Sequence, residues 1–142
     1  MVYFRGHPGD YDDWAHREGA RGWSYAEVLP YFCRSEDNRT FAGSPYHGAS
    51  GEMSVTNSPR PNRLSRSFLE ATKSLGLPEC VDFNGPDPEG CGMRQATIRN
   101  GRRESMVTAF LHPVRHRANL EVKTGVVVDR VLIENGRATG VR

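Results

Sequence analysis

Lysine is nearly absent from this sequence: Lys73 and Lys123 are the only two, so arginine carries almost all of the positive charge. An arginine-rich chain can bind nucleic acid, but only by presenting a clustered basic face to the phosphates. Here 19 basic residues meet 17 acidic ones, and the two signs are interleaved, as in DYDDWAHRE from Asp10 to Glu18. The densest basic run, Arg99 to Arg103, is short, which favours solvated surface arginine over a nucleic-acid interface. Cysteine is scarce as well. Cys33, Cys80 and Cys91 are odd in number and show no C-x-x-C spacing, which excludes a disulfide framework or zinc knuckle and leaves reduced, partly buried thiols. No run approaches the roughly 20 apolar residues of a membrane span. The opening MVYFRGHPGDYDD lacks the apolar stretch and cleavage site of a signal peptide, so a cytoplasmic location is expected.

The usual catalytic signatures are missing too. There is no G-x-S-x-G elbow, no P-loop and no G-x-G-x-x-G; Gly90-Cys91-Gly92 lacks a third glycine and a flanking strand. His112 and His116 stand four apart, a ligand spacing on a helix, but Pro113 lies between them and no third ligand is near. Residue spacing alone yields no catalytic constellation and no metal site.

What is present suits a loop-rich α+β chain. The 142 residues fit one modest domain or a piece of a larger one, and 37% are hydrophobic, with 15 glycines and 9 prolines. The pattern predicts a short helix over Asp10–Glu18, after Pro8 and stopped by Gly19. Ser24 and Glu27 form a capping box for a second helix that Pro30 should kink or restart. Ser35 to Ser50 reads as a loop, and Glu52 to Asn57 as a short strand with Met53 and Val55 on one face. The clearest helix is Asn62–Leu75, with Leu64, Phe68, Ala71 and Leu75 at helical spacing and Gly76 as its stop. Met93–Ile98 reads as a strand, and Ser105–Leu111 as a short helix closed by Pro113. The strongest β signal is last: Leu120, Val122, Thr124, Val126 and Val128 alternate, and Val131–Ile133 continues. Asn135-Gly136 then makes a type I′ turn and Ala138–Val141 returns. The apolar start Met1–Phe4 and the short closing strand are what an internal stretch of a longer polypeptide would show.

Several segments, in order, resemble the glucose-methanol-choline oxidoreductases, most closely their choline dehydrogenase-like members. They are M-V-Y-F-R-G, D-Y-D-D-W, G-W-S-Y-A-E-V-L-P-Y-F, S-E-D-N, Y-H-G-x-x-G, F-N-G-P-D-x-E-G, N-G-R-R-x-S, N-L-E-V-K-T-G and the final V-x-D-R-V-L-x-E-N-G-R-A-T-G-V. The resemblance covers essentially the whole chain. It implies an FAD enzyme that oxidises a small alcohol by passing hydride to flavin N5, while a histidine base takes the hydroxyl proton. It also implies an organisation: residues 1–47 flavin-proximal and lid segment, 48–117 part of the substrate-binding domain, and 118–142 a β-hairpin belonging to the FAD domain.

Carried over by position, the resemblance places Met1, Val2 and Tyr3 beside the flavin and the backbone of Val128 on the adenine. Tyr46, His47 and Gly48 match a lid motif expected to be structural, and Arg103 and Ser105 match one that ties the lid to the substrate domain. Phe110 stands where relatives often have tyrosine. The dinucleotide fingerprint would precede Met1 and the active-site histidine would follow Arg142, so no catalytic residue is assigned within the chain. The chain alone is expected to be inactive and to retain no FAD, with exposed apolar surface at both ends favouring self-association. Two other classes stay in view: a non-catalytic remnant or binding module without cofactor, and an arginine-rich nucleic-acid binder.

Overall fold

The computed structural model describes residues 2–58 and 60–142; Met1, one of the expected flavin neighbours, lies outside the described residues. Helix α1 (Pro8–His16) starts at its proline, which has no amide to leave unpaired. His7 caps it through Nδ1, which accepts from Gly9 N–H at 3.1 Å, and Asp10 accepts from His7 N–H at 3.0 Å. Helix α2 (Tyr25–Ser35) opens on the expected box, Glu27 accepting from the Ser24 backbone at 3.1 Å. Pro30 does not break it. The bond Pro30 cannot make would have gone to the Ala26 carbonyl, and both residues are exposed, so solvent can satisfy that oxygen. Asp12 accepts from Tyr25 N–H at 2.9 Å and joins the two helices, with Tyr11 stacked near Trp14, Tyr25 and Phe32.

Helix α2 runs directly into strand β1 (Glu36–Asn38), inside the stretch that reads as a loop from sequence. The correction has a physical basis: three polar residues give no apolar alternation, and their pairing depends on a segment 17 residues away, from the register Glu36↔Met53. β1 lies parallel to β2 (Met53–Asn57), which pairs antiparallel with β3 (Gln95–Arg99), and β3 with β4 (Arg102–Arg103). The β3–β4 turn places Asn100 and Gly101 at positive φ, 52° and 74°. On the edge of β3 not used by β2, Val2 bridges Ala96 and Tyr3 N–H donates to Gln95 O at 2.9 Å. The apolar core is small. Met53, Val55 and Ala109 are buried, with Tyr3 and Phe110 packed against them.

Helix α3 (Arg63–Ser74) has the expected bounds, capped by Asn62, but its apolar stripe faces outward: Leu64, Phe68 and Leu75 are exposed. The expected Ser105–Leu111 helix is a π-type turn at Val107–Leu111, and Pro113 continues it as part of a 3₁₀ turn, His112–Val114. Strands β5 (Val131–Glu134) and β6 (Arg137–Val141) form the hairpin, with Asn135 and Gly136 at φ 50° and 75° as a type I′ turn requires. The alternating run Leu120–Val128 forms no strand. A strand needs a hydrogen-bonding neighbour, and among the described residues none pairs with it. Residues 118–142 are exposed throughout.

Candidate functional site

The most buried large side chains are polar: Glu36 and Asn38 at 0% exposure, beside Val55 at 1%. Burying a carboxylate is costly unless each oxygen finds donors. Glu36 finds three. Arg5 Nη2 donates to Oε2, while Asn38 Nδ2 at 2.8 Å and His47 Nδ1 at 3.0 Å meet Oε1. Helix α2 aims the carboxylate inward because its chain leaves the helix at Glu36 in extended geometry and enters β1 there.

From Glu36 the network spreads to five separate parts of the chain, around residues 5, 46–47, 57, 82 and 95. Arg5 Nη1 donates to Tyr46 O at 2.7 Å, and its guanidinium lies 5.1 Å from the Phe32 ring centroid. Its Nε alone has no partner. Asn38 Nδ2 donates to Gln95 Oε1 at 2.7 Å, and Gln95 Nε2 donates to Asn57 Oδ1 at 3.0 Å. The other face of the His47 ring system reaches Asp82, Nε2 to Oδ2 at 2.8 Å. Burial opposes charge on His47, but its bonds to Glu36 and Asp82 outweigh burial and hold its pKa above the ordinary histidine value. The thiols behave as expected from their placement: burial pushes Cys33 and Cys80 up, which disfavours thiolate.

The glycines of Y-H-G-x-x-G have a steric reason. A Cβ on Gly48 would sit 1.7 Å from Cys33 O, and one on Gly51 2.3 Å from Ser35 C. Close packing there lets Asn38 N–H donate to Gly48 O at 2.8 Å and Gly51 N–H to Glu36 O at 2.9 Å. His47 is thus delivered to Glu36 by a turn that only glycine permits.

The expected cofactor residues are not gathered into one place. Val2 and Tyr3 lie along β3, Tyr3 half-buried on the small core. Val128 lies in the exposed stretch before β5, and no described hydrogen bond or sheet pairing joins it to Val2 or Tyr3. An open groove of about 790 Å³ has Val2, Leu64, Phe68, Phe83, Met93 and Ala96 in its lining. Gripping a dinucleotide takes free backbone amides at a glycine-rich turn. Gly48, Gly51 and Gly92 instead press on the chain's own backbone, Gly92 with a Cβ position 1.8 Å from Cys80 O. The described residues do not by themselves fit FAD.

Sequence reasoning missed Glu36, Asn38, Asp82, Asn84, Gln95 and Glu104 as organising residues. Glu104 is buried, accepting from Ser54 N–H at 2.8 Å and from Arg99 Nε at 2.8 Å, whereas Arg103 is exposed. In N-G-R-R-x-S the buried contacts fall on the variable position and stay within residues 48–117, with Ser105 bonding locally to Thr108. The available signal was collective: Arg5, Glu36, His47 and Asn84 each belong to a different motif, and all four meet. Among the described residues, no cluster of three metal-ligating side chains occurs and no helix is long and apolar enough to cross a membrane.

Known proteins match this chain along its length. It is 45% identical over 141 residues to human mitochondrial choline dehydrogenase, covering 99% of this chain and 23% of that protein. With the oxygen-dependent choline dehydrogenase of Vibrio vulnificus it shares 43% over 143 residues, covering 99% and 25%. The crystal structure of pyridoxine 4-oxidase from Mesorbium loti superposes with a TM-score of 0.87 at 35% identity, covering 99% of this chain and 28% of that one. An FAD-dependent oxidoreductase from Chaetomium thermophilum superposes at 0.82 with 26% identity, again over 99% of this chain and 26% of the other. The chain thus spans about a quarter of the length of the curated relatives it matches. The family model of the GMC oxidoreductases aligns with residues 1–142, and this chain belongs to that family.

Proposed function

We propose that this chain is an internal portion of an FAD-dependent oxidoreductase that acts on the CH–OH group of a small alcohol, choline being the nearest analogy. The observation that carries the reading is identity above 40% to choline dehydrogenases across 99% of the chain. FAD would serve the full-length protein as hydride acceptor, and no residue of this chain is assigned a step in the reaction. The organisation proposed is a flavin-proximal and lid segment at 1–47, a substrate-domain portion at 48–117, and strands of the FAD domain at 118–142. Met1, Val2, Tyr3 and Val128 are the proposed cofactor neighbours.

The test is to purify the full-length protein and the 142-residue chain side by side. The full-length protein should show flavin absorption and oxidise choline or a related alcohol, while the chain alone should be colourless and inactive. A full-length protein without flavin, or turnover by the chain alone, would overturn the reading. The location is proposed as cytoplasmic, although the human relative is mitochondrial by name; cell fractionation decides between the two.

A further inference from the structure

Among the described residues His47 bridges two carboxylates, those of Glu36 and Asp82, and a count of donors bears on its protonation. Asn38 Nδ2 carries two hydrogens. They are committed to Glu36 Oε1 at 2.8 Å and Gln95 Oε1 at 2.7 Å, so none is left for His47 Nδ1, 3.1 Å away. Nδ1 therefore faces Glu36 Oε1 as a donor. On the other side Nε2 faces Asp82 Oδ2 at 2.8 Å, where a bare nitrogen lone pair would oppose a carboxylate oxygen. A proton on each ring nitrogen satisfies both contacts. The charged groups around the ring are Glu36 from the α2–β1 junction, Asp82 from the loop after Cys80, and Arg5 through Glu36; Asn38 and the Phe41 ring, 5.2 Å away, are neutral.

The second oxygen of each carboxylate leads toward residues 3–5, one directly and one through Asn84. Glu36 Oε2 holds Arg5, and Asp82 Oδ1 accepts from Asn84 N–H at 3.0 Å. Asn84 in turn accepts from Arg5 N–H at 2.8 Å and donates to Tyr3 O at 3.4 Å. Two arms leave the imidazole ring and close on residues 3–5.

We propose that His47, held as an imidazolium between Glu36 and Asp82, is a positioning residue that fixes the Tyr3–Arg5 backbone. Resting on the function proposed above, this backbone is the flavin-side wall of the full-length enzyme, and His47 sets its place without touching substrate. The raised His47 pKa agrees with the donor count.

Histidine-selective ¹⁵N NMR of the protein, with H47Q identifying the resonance, reads the protonation directly. At about pH 6.5, the ordinary histidine midpoint, both ring nitrogens should show bonded hydrogens, and a neutral single-tautomer ring there overturns the proposal, the ring being assigned by its contact with Phe41 if H47Q does not fold. In the flavin-loaded full-length enzyme, H47Q should lower kcat on the order of ten- to a hundred-fold with KM within about twofold, as expected of a small misplacement. It should also remove the alkaline limb that His47 deprotonation gives the wild-type kcat profile. An unchanged kcat and pH profile in folded H47Q would refute the positioning role. A wild-type protein without flavin would sink the functional reading instead, and the NMR result would still judge His47.

Discussion

Glu36 and Leu64 invert the usual rule of burial: the carboxylate is fully buried, and the leucine is 79% exposed. The same inversion holds for their surroundings. Around Glu36, side chains from residues 5, 38, 47, 82, 84 and 95 interlock through hydrogen bonds. Around Leu64, helix α3 presents Phe68 and Leu75 to solvent, as residues 118–142 present their valines. Around Glu36 burial follows hydrogen-bond complementarity, while hydropathy accounts only for the small core of Met53, Val55 and Ala109. A buried charge is tolerated because the chain itself supplies its partners, whereas among the described residues the apolar stripe of α3 lines only an open groove.

The largest effect should come from breaking the hub. E36A leaves the Arg5 and His47 cations buried without their carboxylate, a loss of about 3–5 kcal/mol by the usual cost of orphaning a buried charge. Denaturant unfolding of this chain would show it, and a midpoint near wild type would mean the network contributes little. Next comes G48A. A methyl group 1.7 Å from Cys33 O forces the turn and helix end apart, and overpacking of this kind costs about 1–3 kcal/mol or more.

A pH effect follows from His47. Its folded pKa is raised above the unfolded one, so its contribution is fully present below about pH 6.5 and is lost as pH rises through the folded value. Wild-type unfolding midpoints should therefore fall as pH rises above about 6.5, with the decline absent in H47Q. The smallest effect should belong to Phe68. F68S in this chain should change stability by no more than about 0.5 kcal/mol, as exposed positions do; a loss of several kcal/mol would show that the α3 stripe is covered after all.

Much of the secondary structure was readable because its signals are local. The Ser24–Glu27 box, the Asn62 cap with Gly76 stop, and Asn135-Gly136 each act within a few residues, and each stands where expected. The rest depended on distance. β1 has no periodicity of its own and exists because Met53–Val55 runs beside it. The Leu120–Val128 alternation fails for the converse reason: its propensity is local, but a ladder needs a neighbour. Within the hub, hydropathy alone would place Glu36, His47 and Asp82 on the surface. Their meeting was visible only as a set of motifs in a familiar order, without a geometric reason until the hydrogen bonds were seen.

Amide hydrogen exchange of this chain tests the contrast most directly, because it reads local stability residue by residue. The amides of Arg5, Asn38, Gly51 and Ser54, bonded to Asn84 Oδ1, Gly48 O, Glu36 O and Glu104 Oε2, should be among the slowest to exchange. Those of Val122 to Val128 should exchange freely, with the β5–β6 hairpin opening independently of the hub. Protection of Val122–Val128 equal to that of Arg5 and Gly51 would contradict an account in which the buried polar network is the best-ordered part of this chain.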